Sequence, residues 1–156
     1  MRIHLLAVGQ RMPDWVTQAY RDYAQRLPPS CSLHLVEVGL VRRPRNPDLG
    51  RILETEGARL LAAVPRDARL IALDQTGRAW DTASLARQLE NWLQDGRDMA
   101  LLVGGPDGLA PGCKARAETL WSLSPLTLPH PLVRVMVAEA LYRAWSLLNN
   151  HPYHRA

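Results

Sequence analysis

The chain has 156 residues, of which 47% are hydrophobic and 22% charged, with a formal net charge of +4 and a pI near 9.6. That is the composition of a single soluble globular domain with enough chain for a core, and its basic balance permits an anionic partner. No uncharged apolar run reaches 18 residues, which excludes a membrane span, and the opening MRIHLLAVGQRM is too short for a secretory signal, so the expected location is the cytoplasm.

Apolar periods alternate along the chain between strand-like and helix-like. Ile3–Gly9 reads as a buried strand. Trp15, Ala19, Tyr20, Tyr23 and Leu27 then recur at helical spacing after Pro13, until Pro28-Pro29-Ser30 stops the helix. Cys31 follows; with Cys113 it shows no metal or redox spacing, and both read as free thiols. Leu33–Gly39 alternates as a second strand. The next segment, VRRPRNPDLGR, collects Arg42, Arg43, Arg45 and Arg51 in a proline-broken stretch, either a phosphate-contacting loop or a solvated one. Asn46-Pro47 predicts an N-cap and first helical position, and Leu49, Ile52, Leu53, Leu60, Leu61 and Val64 line one face of the helix that follows.

Arg69–Asp74 is a third strand, with QTGRAW as its turn. Asp81 or Thr82 caps a third helix carrying Leu85, Leu89, Trp92 and Leu93, and Gly96 closes it. Met99–Gly105 is a fourth strand, and a short helix is predicted over 114–120. Beyond it Pro125 interrupts what would otherwise be a strand. The last helix, about Pro131 to Leu148, is apolar on more than one face, which predicts a subunit interface and a homodimer. Five strand-then-helix units imply an α/β domain over residues 1–156, a mostly parallel sheet with helices on both faces. In its simplest form the sheet is doubly wound, with ligands bound at the carboxyl ends of the strands. Three such ends, LDQTGRAW, VGGPDGLAP and LTLPHP, are rich in glycine or proline and point to one shared small-molecule site.

In LVGGPDGL, Gly104, Gly105 and Gly108 allow close backbone approach and positive φ. The loop has neither a Walker lysine nor G-x-G-x-x-G spacing, so phosphate binding and a plain tight turn both fit. In LSPLTLPHPL, the backbone groups of Leu123, Leu126 and Leu128 lose regular ladder partners at Pro125. An edge strand with a bulge would explain this; so would a planar heterocycle such as adenine, held by bare amides between leucine and proline walls. His130, between two prolines, reads as a cap of the last helix. The tail NNHPYHRA holds His151, Tyr153, His154 and Arg155. Its His-x-x-His lacks the Cys or carboxylate partners of a metal site, so no metal is expected. Imidazole, phenol and guanidinium together suit proton transfer and anion stabilisation.

The segments MPDWV, LDxxGxxWDT, DGRD, LLVGGPDGL, WSLSPLTLPHPLVRVMVAEALYRAWS and NHPYHR resemble the bacterial large-subunit ribosomal RNA pseudouridine N3-methyltransferases, of the trefoil-knotted SPOUT class. The resemblance covers essentially the whole chain. It implies a C-terminal trefoil knot, which pattern reasoning alone would reject because threaded chains are so rare. It implies an obligate homodimer, bound S-adenosylmethionine and no metal. The implied substrate is a pseudouridine in an intersubunit-bridge hairpin of 23S rRNA on the assembled 70S ribosome. Carried over by motif, the cofactor contacts are Leu73, Gly104, Leu123, Ser124, Pro125, Leu126, Thr127 and Leu128. Pro125 stands where the family pattern often has another small residue, which backbone contacts tolerate. In the matched tail His154 is expected as base or proton relay, Arg155 as stabiliser of the imide anion and Tyr153 as stacking on or orienting the base; His130 is the rival base, and Arg134 and Arg143 are second choices, catalytic or paired with Glu139. Arg42, Arg43 and Arg45 are the expected RNA contacts, with one subunit's tail reaching the other's knot. A dinucleotide-binding oxidoreductase and a non-catalytic ribosome-associated factor are the rival readings.

Overall fold

A computed structural model describes residues 1–155. Its strands are β1 (Arg2–Val8), β2 (Ser32–Val38), β3 (Arg69–Ala79), β4 (Met99–Val103) and β5 (Thr119–Ser122). Its helices are α1 (Asp14–Ala24), α2 (Leu49–Ala62), α3 (Thr82–Asp95), α4 (Pro111–Arg116) and α5 (His130–Leu148), with short 3-10 turns at Pro29–Cys31 and Pro152–Arg155. The strands form one sheet in the order β2-β1-β4-β3-β5, and every neighbouring pair is parallel.

The period-2 alternation of side chains sorts the strand residues between two cores. Ile3, Leu5, Ala7, Ile71, Met99, Leu101 and Val103 face α1, α3 and α5. Leu6, Val8, Leu70, Ala72, Ala100 and Leu102 face the thinner layer of α2 and α4. Strands covered on both faces read as unbroken apolar runs, which is why β1 and β4 stand out in the sequence. Both cysteines are free and buried, and burial pushes the Cys31 thiol up to about 11, out of reach of ordinary thiol chemistry.

Four local expectations are corrected. The cap of α2 is Asp48, whose Oδ1 accepts the Arg51 N–H at 3.2 Å, and not Asn46. The short helix ends at Arg116, and Thr119–Ser122 leaves it to become β5, ahead of the proline segment. The first helix stops at Ala24, short of Leu27. Most consequentially, QTGRAW does not reverse the chain: β3 runs on to Ala79 and pairs again with β5 after a register shift between Leu73 and Arg78. The turn-forming residues build a bulge instead. Asp74 accepts from the Thr76 N–H at 2.9 Å and from its hydroxyl at 3.0 Å. Gly77 lets the two backbones pass, since a Cβ there would lie 2.5 Å from the carbonyl carbon of Leu120. Because β4, β3 and β5 are adjacent, the loops leaving their carboxyl ends meet at one edge of the sheet.

Candidate active site

Where those loops meet there is a cavity of about 810 Å³. Leu73 at the end of regular β3, Gly104 after β4, and Leu123, Ser124, Leu126, Thr127 and Leu128 after β5 all line it. Pro125 belongs to the same loop but is exposed and off the wall. The proline segment is held by short-range side-chain bonds. Ser122 Oγ donates to the Ser124 carbonyl at 3.1 Å, and Ser124 Oγ accepts the Leu126 N–H at 2.9 Å, closing a turn around Pro125. Gln75 Nε2 donates to Thr127 Oγ1 at 2.8 Å and ties this loop to β3. The Leu126 amide is therefore satisfied locally. The amides of Leu123, Thr127 and Leu128 make no hydrogen bond among the described residues. Free amides set between leucine and proline walls suit an uncharged ring with donors and acceptors along its edge.

The glycine loop forms the facing wall. A Cβ at Gly104 would sit 2.4 Å from the carbonyl carbon and oxygen of Gly108, so no other residue fits there. Gly108 has φ +84°, and its N–H closes the turn on the Gly105 carbonyl at 3.1 Å. The tight-turn reading is thus correct, and the same turn supplies part of the cavity. The floor carries a charged pair, Asp74 and Lys114, 2.5 Å apart. Burial pushes the Asp74 carboxyl up, but Lys114 and the Thr76 donors outweigh it and hold the group below the usual carboxylate range, ionised.

Residues 1–154 match the family model described as "Predicted SPOUT methyltransferase". The chain belongs to the SPOUT methyltransferase family. It is 63% identical over 155 residues, 99% of both chains, to "Ribosomal RNA large subunit methyltransferase H" of Thioalkalivibrio sulfidiphilus. It is 62% identical over the full length of both chains to the protein of the same name from Alkalilimnicola ehrlichii. A solved structure titled as a probable methylase family protein from Haemophilus influenzae Rd KW20 superposes with a TM-score of 0.57, covering 96% of this chain and 69% of that one. At 12% identity that likeness is one of fold. SPOUT methyltransferases use S-adenosylmethionine, and the free amides, leucine walls and glycine cradle of this cavity fit its adenine end.

His130, expected from sequence as a cap of the last helix and as the rival base, stands on the wall of this cavity. It begins α5 but makes no capping hydrogen bond. Its Nδ1 is buried without a partner. Burial, then the charges of Arg134 and Arg43, holds its pKa below the ordinary histidine value, so the ring is neutral at neutral pH. Its role needed two loops to converge, which no local spacing reveals.

Among the three loop arginines, Arg43 has an internal role. Its Nη1 and Nη2 donate to both carboxylate oxygens of Glu56 on α2, at 2.6 and 3.1 Å. Nη1 also donates to the Val41 carbonyl at 2.7 Å, and Nε donates to Asp107 of the glycine loop at 3.1 Å. Glu56 is 2% exposed, so this cation neutralises a buried carboxylate and pins the basic loop to the cavity wall. Replacing Arg43 by alanine strands that carboxylate. The expected cost is about 3–5 kcal/mol of folding stability, read as a lowered melting temperature; a melting temperature equal to wild type would refute it. Arg42 and Arg45 are exposed and in no ion pair among the described residues.

The tail lies elsewhere. Tyr153 Oη donates to Glu139 Oε1 at 2.9 Å, and its ring packs on Tyr142 with centroids 4.7 Å apart. The Arg143 guanidinium lies 4.9 Å over that ring. The His151 N–H donates to the Ser146 carbonyl at 2.9 Å, and the His154 ring contacts the His151 carbonyl. These contacts anchor the tail to the second half of α5, whereas the cavity uses His130, Pro131 and Val133 at its start. From Val133 on the cavity wall to Tyr142, on which the Tyr153 ring packs, the helix rises roughly 14 Å at 1.5 Å per residue. Within one chain none of Tyr153, His154 and Arg155 lines the cavity.

Proposed function

We propose that this SPOUT methyltransferase transfers a methyl group from S-adenosylmethionine to N3 of a pseudouridine in 23S rRNA, in the intersubunit-bridge hairpin of the assembled 70S ribosome. It acts in the cytoplasm as a homodimer whose C-terminal half is threaded as a trefoil knot. The observation that carries the reading is the cavity at the ends of β3, β4 and β5, with its glycine cradle and free amides, in a chain 63% identical over its length to a large-subunit rRNA methyltransferase. A dimer is supported by α5, whose Val135, Met136 and Ala140 are only partly covered and line a shallow groove.

N3 of pseudouridine is an imide N–H between two carbonyls. It becomes nucleophilic when its proton leaves, and the charge then spreads onto both oxygens. The protein must therefore accept one proton and stabilise an oxyanion. When bound, S-adenosylmethionine supplies an electrophilic methyl on a sulfonium, so the sulfur takes back the electron pair as the N–CH₃ bond forms. In the proposed dimer the partner's tail presents His154 as base or relay, Arg155 at the imide oxygens and Tyr153 against the base. The amides of Leu123, Thr127 and Leu128 hold the adenine, and Gly104 keeps the facing wall close. Arg42 and Arg45 meet rRNA phosphates from the anchored loop.

The test is methyl transfer from labelled S-adenosylmethionine to purified 70S ribosomes, with separated 50S subunits and naked 23S rRNA as parallel acceptors. Label is expected on 70S particles, at a pseudouridine N3 by nucleoside analysis. No transfer to any of the three would leave a non-catalytic ribosome-associated factor. Calorimetry that detects NAD but not S-adenosylmethionine would favour the oxidoreductase reading.

A further inference from the structure

A second cavity, of about 380 Å³, lies between α1, the loop that follows β1, the end of β2 and α5. The functions above do not use it. Two side chains on its wall are almost wholly buried, Tyr20 at 6% exposure and Arg134 at 1%. Tyr20 Oη and Arg134 Nε have no hydrogen-bond partner among the described residues. The other Arg134 nitrogens are engaged: Nη1 donates to Glu37 Oε2 at 2.6 Å and Nη2 to the Gly9 carbonyl at 2.8 Å. Burial raises the pKa of the Tyr20 phenol far above its ordinary value, so it stays protonated and can donate. At the mouth stand Arg11 and Arg21, both exposed and in no ion pair among the described residues. Three guanidinium groups thus face one carboxylate, Glu37, which Arg134 already neutralises.

The unmet groups are all donors or cations, and such groups need an anion rich in acceptors. The neighbourhood says which one. A Cβ at Gly9 would lie 3.4 Å from His130 Cε1 and 3.8 Å from Arg134 Nη2, so the second cavity and the cofactor cavity abut across that glycine. We propose that the second cavity is a phosphodiester subsite, in which Arg11 and Arg21 pair with the non-bridging oxygens of an RNA phosphate adjoining the methylated nucleotide while Tyr20 Oη and Arg134 Nε donate from the floor. This rests on the RNA-methyltransferase reading above.

The test uses the full chain and 70S ribosomes. The double variant Arg11→Gln/Arg21→Gln is expected to raise KM for ribosomes by about tenfold or more. It should also flatten the dependence of log KM on log salt by about 0.7–0.9, for one phosphate no longer neutralised. Affinity for S-adenosylmethionine should be unchanged. Tyr20→Phe removes only the unpartnered oxygen; it is expected to raise KM several-fold without lowering the melting temperature. Inorganic phosphate, at constant ionic strength, is expected to compete with ribosomes for the wild type and to lose that effect in the double variant. Wild-type KM and salt slope in the double variant, or a wild-type KM in Tyr20→Phe, would overturn the subsite, as would undiminished phosphate inhibition of the double variant. Failure of the underlying reading looks different, because the wild-type protein would then methylate no ribosome at all.

Discussion

Replacing His154 or Arg155 with alanine is expected to lower turnover on ribosomes by about 10²- to 10⁴-fold, while the dissociation constant for S-adenosylmethionine stays within about twofold. The affinity half of this expectation follows from the cavity's own lining, which the loops after β3, β4 and β5 supply. The tail is anchored on the second half of α5 through Tyr153 and Glu139, and the cavity wall holds none of its residues. The turnover half follows from the acceptor. An imide N–H is too weak an acid to lose its proton unaided at neutral pH, and its anion carries charge on two oxygens. A base and a cation therefore act in the same step, and removing either leaves the other working on a poorer substrate. His130 is the competing proton acceptor, neutral and on the cavity wall. Single-turnover rates against pH separate the two. If His154 accepts the proton, His130→Gln keeps the pH profile and His154→Ala loses it. Near-normal turnover in both tail variants would sink the tail assignment.

The parts of this molecule that were legible from sequence are those decided by neighbours along the chain. Strands β1 and β4 declare themselves because both faces are buried, and Asp81 and Gly96 bound α3 through contacts within one turn: Asp81 accepts the Ser84 N–H at 2.7 Å, and Gly96 takes φ +76°. The loops that wall the cavity were legible for the same reason, since Pro125 and the glycines act on the backbone next to them. What stayed hidden depends on the sheet order. Arg43 reads as a free phosphate contact until Glu56 and Asp107 are brought to it, the latter from 64 positions away. Arg134 reads as catalytic or as a partner of Glu139 until it meets Glu37, 97 positions away. QTGRAW carries honest turn chemistry, and only the pairing of Arg78 with Trp121 makes it a bulge inside a strand. Nothing local says that the cavity takes the first turn of α5 and the tail its second half, and that separation bears directly on how a complete site is assembled.

Mixing two inactive variants is expected to restore about one quarter of wild-type activity. One variant, His154→Ala/Arg155→Ala, keeps the cavity and loses the tail. The other, Thr127→Arg, keeps the tail and places a bulky cation on the exposed cavity loop, where folding tolerates it and cofactor binding does not. Subunits are exchanged by mild denaturation and refolding of an equal mixture, after which about half of the dimers are mixed on statistical grounds. In a mixed dimer, the intact cavity of one chain faces the intact tail of the other, and the second site has both parts broken. One good site in half of the dimers is a quarter of all sites. If each tail served its own chain's cavity, every site in every dimer would contain a broken part and mixing would restore nothing. Recovery therefore separates completion across the dimer from completion within one chain. The folded chain favours the former, because the residues that bind Tyr153 belong to the second half of α5 and the α5 residues that line the cavity belong to its first turn. A second α5 packed antiparallel against the Val135, Met136 and Ala140 face would bring each tail to the start of its neighbour's helix, where His130 and the free amides of the proline loop stand.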